Sequence, residues 1–153
     1  MKSLVIQKTI AINATKEQVW DILVQDQHTR AWYAAFSEGT HAVTDWSVGS
    51  TVKYIDGSNS GMIAKVVVNR PGEELSVEFQ GEVIDGKEVY DSPGAQAIKG
   101  GKETYKLSVN EGTTVLYIES DMTEEYFDIM SKSWDKALQI IKELAEKPNI
   151  SSN

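Results

Sequence analysis

Leu4, Ile6, Ile10 and Ile12 fall on one side of an alternating stretch, which predicts a first strand over 4–12. The alternation then stops, and "ATKEQVWDIL" brings Val19, Ile22 and Leu23 back at helical spacing, so one face of a helix is buried. Thr15 and Gln18 stand where a capping box needs them, and Ala14 and Val19 occupy the staple positions around it. A second short helix is predicted within "HTRAWYAAF", gathering Trp32, Tyr33 and Phe36.

From His41 to Asp121 the period becomes two, with turn formers between the runs. Strands are predicted at 41–46, 51–56, 61–69, 75–84, 103–110 and 113–120, an antiparallel meander. A tight turn at Glu111 and Gly112 would set Leu107 opposite Leu116 and Tyr105 opposite Ile118 on one side, with Lys106 opposite Tyr117 on the other. The same parity puts Val52, Tyr54, Met62, Ala64, Val66, Leu75, Val77 and Phe79 on an apolar face, with Lys53, Lys65, Glu78 and Gln80 outside. The outer face shows only Tyr117, Ile63 and Val67 as apolar candidates, too few for an interaction patch.

A long helix is predicted over about 123–147, started by Asp121 with Glu124 or by Thr123 alone. Phe127, Met130, Trp134, Leu138, Ile141 and Ala145 form its apolar stripe, and only this helix is long enough to cross the apolar sheet face. Its first half is wide, soft and aromatic, whereas its second half is aliphatic. The tail, 148–153, is expected to be disordered.

With 153 residues the chain is read as one domain, 1–153. The absence of cysteine removes disulfides, thiolate nucleophiles and cysteine-based zinc sites. A net charge of −8 with scattered lysines argues against nucleic acid as a partner. The apolar stretches are too short to span a membrane and the N-terminus too polar for a signal peptide, so a cytoplasmic protein is expected.

"INATKEQVWDIL", with Val19 and Trp20, resembles the opening signature of the family named for the activator of the heat-shock chaperone ATPase. The closing "SWDKALQIIKELAE", with Trp134, Leu138 and Ile141-Lys142, is similar to that family's terminal pattern. The element order resembles the α+β helix-grip fold of the START-like (SRPBCC, birch-pollen-allergen-like) superfamily. The resemblance implies a six- or seven-stranded curved antiparallel sheet gripping the C-terminal helix, with two short helices after strand one. It further implies a cavity between sheet and helix, open near the first half of the helix, that holds a hydrophobic small molecule: a lipid, a sterol or a polyketide-like compound. The wall expected from the inward positions is Trp32, Tyr54, Met62, Phe79, Tyr105, Leu107, Ile118, Phe127, Met130 and Trp134. The segment 85–103, longer than is usual there, is a candidate lid with Tyr90 as its inward anchor; Asp91, folded over the mouth, would be an acid or base of raised pKa.

Plain core packing is the simpler reading of such a stripe. The polar tips of Tyr54, Tyr105 and Trp134 favour a cavity, because buried hydroxyl and indole groups need partners that water or a guest supplies. No catalytic constellation is visible. His28 and His41 are alone, "GSNSG" at 57–61 is a turn, and Gly94, Gly100 and Gly101 make no phosphate cradle. Glu78 and Glu82 point outward unless a bulge intervenes. No metal or cofactor is expected. Binding or transport of a hydrophobic molecule is the expected activity; a cyclase or hydratase using the same cavity is the first alternative, and a protein-interaction module stimulating a chaperone ATPase the second.

Overall fold

The computed structural model describes residues 3–147, and the expectation about the tail falls outside the described residues. The chain runs β1 (Ser3–Ile12), α1 (Lys16–Val24), α2 (Asp26–Tyr33), β2 (His41–Val43), β3 (Thr51–Ile55), β4 (Gly61–Arg70) and β5 (Glu74–Ile84). It continues through β6 (Lys87–Val89), α3 (Pro93–Ile98), β7 (Lys102–Asn110), β8 (Thr113–Thr123), a 3-10 turn at Glu124–Tyr126 and α4 (Phe127–Glu146). The strands form one antiparallel sheet in the order β1-β8-β7-β5-β4-β3-β2, with β6 paired to the edge of β5 that β7 leaves free. This is the helix-grip α+β architecture, with an eighth strand contributed by the segment expected to be a lid.

Local chemistry accounts for the joints. Thr15 accepts from the Gln18 backbone N–H while the Gln18 side chain accepts from the Thr15 N–H, which starts α1. Glu111 and Gly112 both take positive φ, the geometry of a two-residue hairpin turn. The β7–β8 register follows from it: Tyr105 opposite Ile118, Lys106 opposite Tyr117, Leu107 opposite Leu116. Asp85 and Gly86 do the same for β5–β6.

Neither Asp121 nor Thr123 caps the long helix. Asp121 is still a strand residue and its carboxylate accepts from the Lys102 backbone N–H, while the Thr123 hydroxyl is buried without a partner. The start of α4 therefore has no side-chain cap and is preceded by a tightened turn. Its far half is fixed firmly. Leu138, Ile141 and Ala145 are buried, Lys142 donates to the Ala11 carbonyl, and Glu146 accepts from the Asn13 N–H.

Two irregularities alter the expected parity. Ile63 pairs with Gly81 but Ala64 pairs with Phe79, so Gln80 is an extra residue in β5; Val67 is likewise extra in β4. Beyond the first bulge, Glu82 becomes the partner of Met62 and joins the inner face. Ile63, expected on a wet outer face, is buried there opposite Gly81.

Candidate functional site

The sheet's inner face, α2 and α4 bring together an aromatic cluster from sequence-distant segments. Trp134 of α4 lies 4.9 Å from Phe36, 5.9 Å from Tyr105 and 6.2 Å from Trp32, ring centre to ring centre. Tyr33 of α2 continues the cluster to Tyr54 at 5.8 Å, and Tyr54 to Phe79 at 6.4 Å. Of the expected wall, Trp32, Tyr54, Phe79, Tyr105, Leu107, Ile118 and Trp134 are buried in this core. Phe127 and Met130 are half-buried at the start of α4. Met62 stands apart: it is 37% exposed, because it pairs with Tyr54 at the β3–β4 end of the inner face, where little covers it.

Beneath these rings lies a residue that the sequence reading passed over. Across the middle of the sheet the inner-face row runs Ile6, Ser120, Glu103, Val77, Val66, so a carboxylate stands in an otherwise largely apolar row. Its four row-mates are at most 1% exposed, yet Glu103 itself is only partly buried. Both edges of β7 are paired at this position, so what remains open lies on the side-chain side. The signal was present in the sequence. Once Tyr105 is placed inward by the hairpin register, the residue two before it faces inward as well.

The carboxylate has only hydroxyl partners among the described residues: Tyr105 donates to Oε2 at 2.5 Å and Ser120 to Oε1 at 3.4 Å. Burial raises the Glu103 pKa above the usual carboxylate value, outweighing the two hydroxyls that favour its charged form. Burial, with the negative charge of Glu103 adding to it, also lifts Tyr33, Tyr54 and Tyr105, so all three phenols keep their protons. The Tyr54 hydroxyl and the Trp134 indole N–H make no hydrogen bond to another described residue, yet they are not enclosed atoms: among the described residues the buried side-chain polar atoms without a partner are Asn69 Oδ1 and Thr123 Oγ1. The Trp32 indole is satisfied by the Ile22 carbonyl at 2.9 Å.

A pH dependence follows. The folded protein holds the Glu103 proton at pH values where the unfolded chain has released it, so its contribution to stability is full below the unfolded carboxylate pKa and is lost as pH rises through the folded one. Glu103→Gln should therefore gain on the wild type as denaturation is repeated from acidic to neutral pH. A difference independent of pH would refute the raised pKa.

Within the segment 85–103, β6 pairs with β5 and α3 follows it, and the expected inward anchor Tyr90 does not face inward. After β6, Tyr90 lies against Gly81, where a Cβ would come within 2.7 Å of the ring, and its hydroxyl donates to Glu88 at 2.7 Å. Gly81 pairs with Ile63, opposite in parity to Met62 and Tyr54, so Tyr90 sits on the outer face and is 47% exposed. Asp91 is exposed too, placed by the turn into α3. What reaches the inner face is α3, through buried Ala95 and partly buried Ile98, with its cap Ser92 donating to Glu82 at 2.8 Å.

Outside the core, a groove of about 410 Å³ lies between α1, α2 and the β2–β3 connection, lined by residues that include Trp20, Asp26, Trp46 and Asn69. Trp46 is held at φ 62° with its indole donating to the Val24 carbonyl at 3.1 Å. Among the described residues no three His, Asp or Glu side chains group as metal ligands, and no helix is long and apolar enough to cross a membrane.

Residues 13–146 match the family model described as Activator of Hsp90 ATPase homolog 1-like protein. No curated protein matches the sequence. Among solved structures, the chain is similar to the Aha1 dimer from Colwellia psychrerythraea, at 18% identity and TM-score 0.72, covering 94% of this chain and 96% of that one. It is similar to CalU16 from Micromonospora echinospora, at 15% identity and TM-score 0.65, over 98% and 79% of the two chains. DynU16, a protein in the dynemicin biosynthetic locus, is similar at 11% identity and TM-score 0.68, over 91% of this chain and 46% of its own. At these identities the likeness is one of fold.

Proposed function

The chain belongs to the activator of Hsp90 ATPase homolog 1-like family, and on that footing we propose that it binds a hydrophobic small molecule, without changing it chemically, between the inner face of the sheet and the first half of α4. The observation that carries this reading is the pair of polar tips, Tyr54 hydroxyl and Trp134 indole N–H, that bond no described residue and are not sealed off, although their side chains belong to the buried aromatic cluster that also holds the Glu103-bound Tyr105. A finished core leaves few such groups without partners. A guest desolvated among the rings, with its polar end held by these tips, supplies them.

Native mass spectrometry of freshly purified protein, with thermal melts against fatty acids, sterols and polyketide-like aromatics, tests the proposal. At least one class should raise the melting temperature in proportion to the logarithm of its concentration. Melts that no class alters, with no co-purifying mass, would reject it. Tyr54→Phe separates the guest from the fold: its stability should stay within about 0.5 kcal/mol of the wild type, because the lost hydroxyl bonds no protein group. Its affinity should fall by about 1 kcal/mol, one hydrogen bond's worth.

Glu103 favours one rival, an enzyme of the cyclase or hydratase type using the same interior, since a titratable group bonded to a phenol is what acid catalysis requires. A bound guest whose mass or absorbance changes with time in the wild type but not in Glu103→Gln would select that reading.

A further inference from the structure

Glu103 narrows the guest. Six salt bridges join described residues, and none of them includes Glu103. Its strand neighbours Lys102 and Lys106 do not share its inward parity. Lys8, one row away on the inner face, is committed to Asp135 of α4 at 2.7 Å. The carboxylate is thus held by hydroxyls alone, while the nearby interior consists of tyrosine and tryptophan rings: Tyr105, whose hydroxyl it accepts, touches both Trp32 and Trp134.

A partly buried acid without a cation is disfavoured in its charged form, and a positive charge brought from outside relieves that cost. Aromatic faces favour the same visitor, because their quadrupoles attract a desolvated ammonium. The chain's net charge of −8 attracts cations to the surface and repels anions.

Resting on the binding reading above, the geometry points to a lipophilic amine as the guest, its ammonium paired with Glu103 and flanked by the Tyr105, Trp32 and Trp134 rings, and its apolar body lying toward Phe79 and the start of α4. The same arrangement turns away fatty acids, whose carboxylate would meet Glu103 with no basic side chain free to receive it.

A matched set on one apolar body tests this: phenylbutylamine, phenylbutanol and phenylbutyrate, titrated calorimetrically into the full chain at neutral pH. The amine should bind at least 10-fold more tightly than the alcohol, and the carboxylate most weakly. Glu103→Gln should bring amine and alcohol within about 3-fold of each other. Glu125→Gln, which changes net charge equally at an exposed site, should leave the preference intact. If wild type binds alcohol and amine equally, or the preference survives in Glu103→Gln, the amine inference fails while binding of a hydrophobic guest stands. If none of the three binds, although guests from other classes do, the inference fails alone; if nothing binds from any class, both fall together.

Discussion

Trp134→Ala should cost about 3–5 kcal/mol of stability, the range for truncating a large buried aromatic. Trp134 is where the layers meet: the α4 ring touches Phe36 and Trp32 from the α2 region and Tyr105 from the sheet, so its removal loosens the contact of helix with helix and of helix with sheet. At roughly 2–4 °C per kcal/mol for a chain of this size, the melting temperature should fall by about 10 °C. Urea denaturation of the two proteins, compared at equal slope, is the measurement. A loss below about 1 kcal/mol would mean that the ring does not pack as described. The loss itself is the same whether the space beside the ring is hollow or filled, so this variant probes the architecture and not the guest.

Gly61→Ala should be nearly as damaging, by roughly 3 kcal/mol or more. A Cβ at Gly61 would lie 1.6 Å from the Tyr54 carbonyl oxygen, a backbone atom that cannot turn aside, so β3 and β4 must part at their hairpin. Tyr54 would move with its strand, and guest affinity should fall together with stability. Gly72→Ala provides the comparison. Nothing lies within 4 Å of its added methyl group, and only its φ of +76° is unfavourable, so a cost of about 1 kcal/mol is expected. Equal losses in the two variants would show that conformational strain, and not the close approach of the strands, governs Gly61.

The architecture was legible where local geometry leaves few choices. The Thr15–Gln18 box and the Glu111–Gly112 turn are set by residues in contact along the chain, and the turn propagates its register through the whole β7–β8 pair. Parity counted from such a turn is sound until a bulge interrupts it. Gln80 is one that no residue pattern announces, and it moves Glu82 inward and sets Gly81 opposite Ile63 on the outer face. Tyr90 is displaced for a related reason: the outward-facing Gly81 offers a flat seat for its ring. Glu103 differs from these. It lies within a stretch where the parity holds, and its carboxylate shares the inner face of β7 with Tyr105 and Leu107, among side chains that are otherwise largely apolar or aromatic.

The contrast between the two ends of α4 has a kinetic consequence. One end is anchored by the Lys142 and Glu146 contacts, whereas the other begins without a cap directly after β8, above a Thr123 hydroxyl that bonds nothing. Swinging the whole rod outward would break the anchored end, so the least costly way in is transient unwinding of the first turn around Phe127 and Met130. Amide protons there should exchange with deuterium well before those around Ile141, and a lodged molecule should slow the former while leaving the latter untouched.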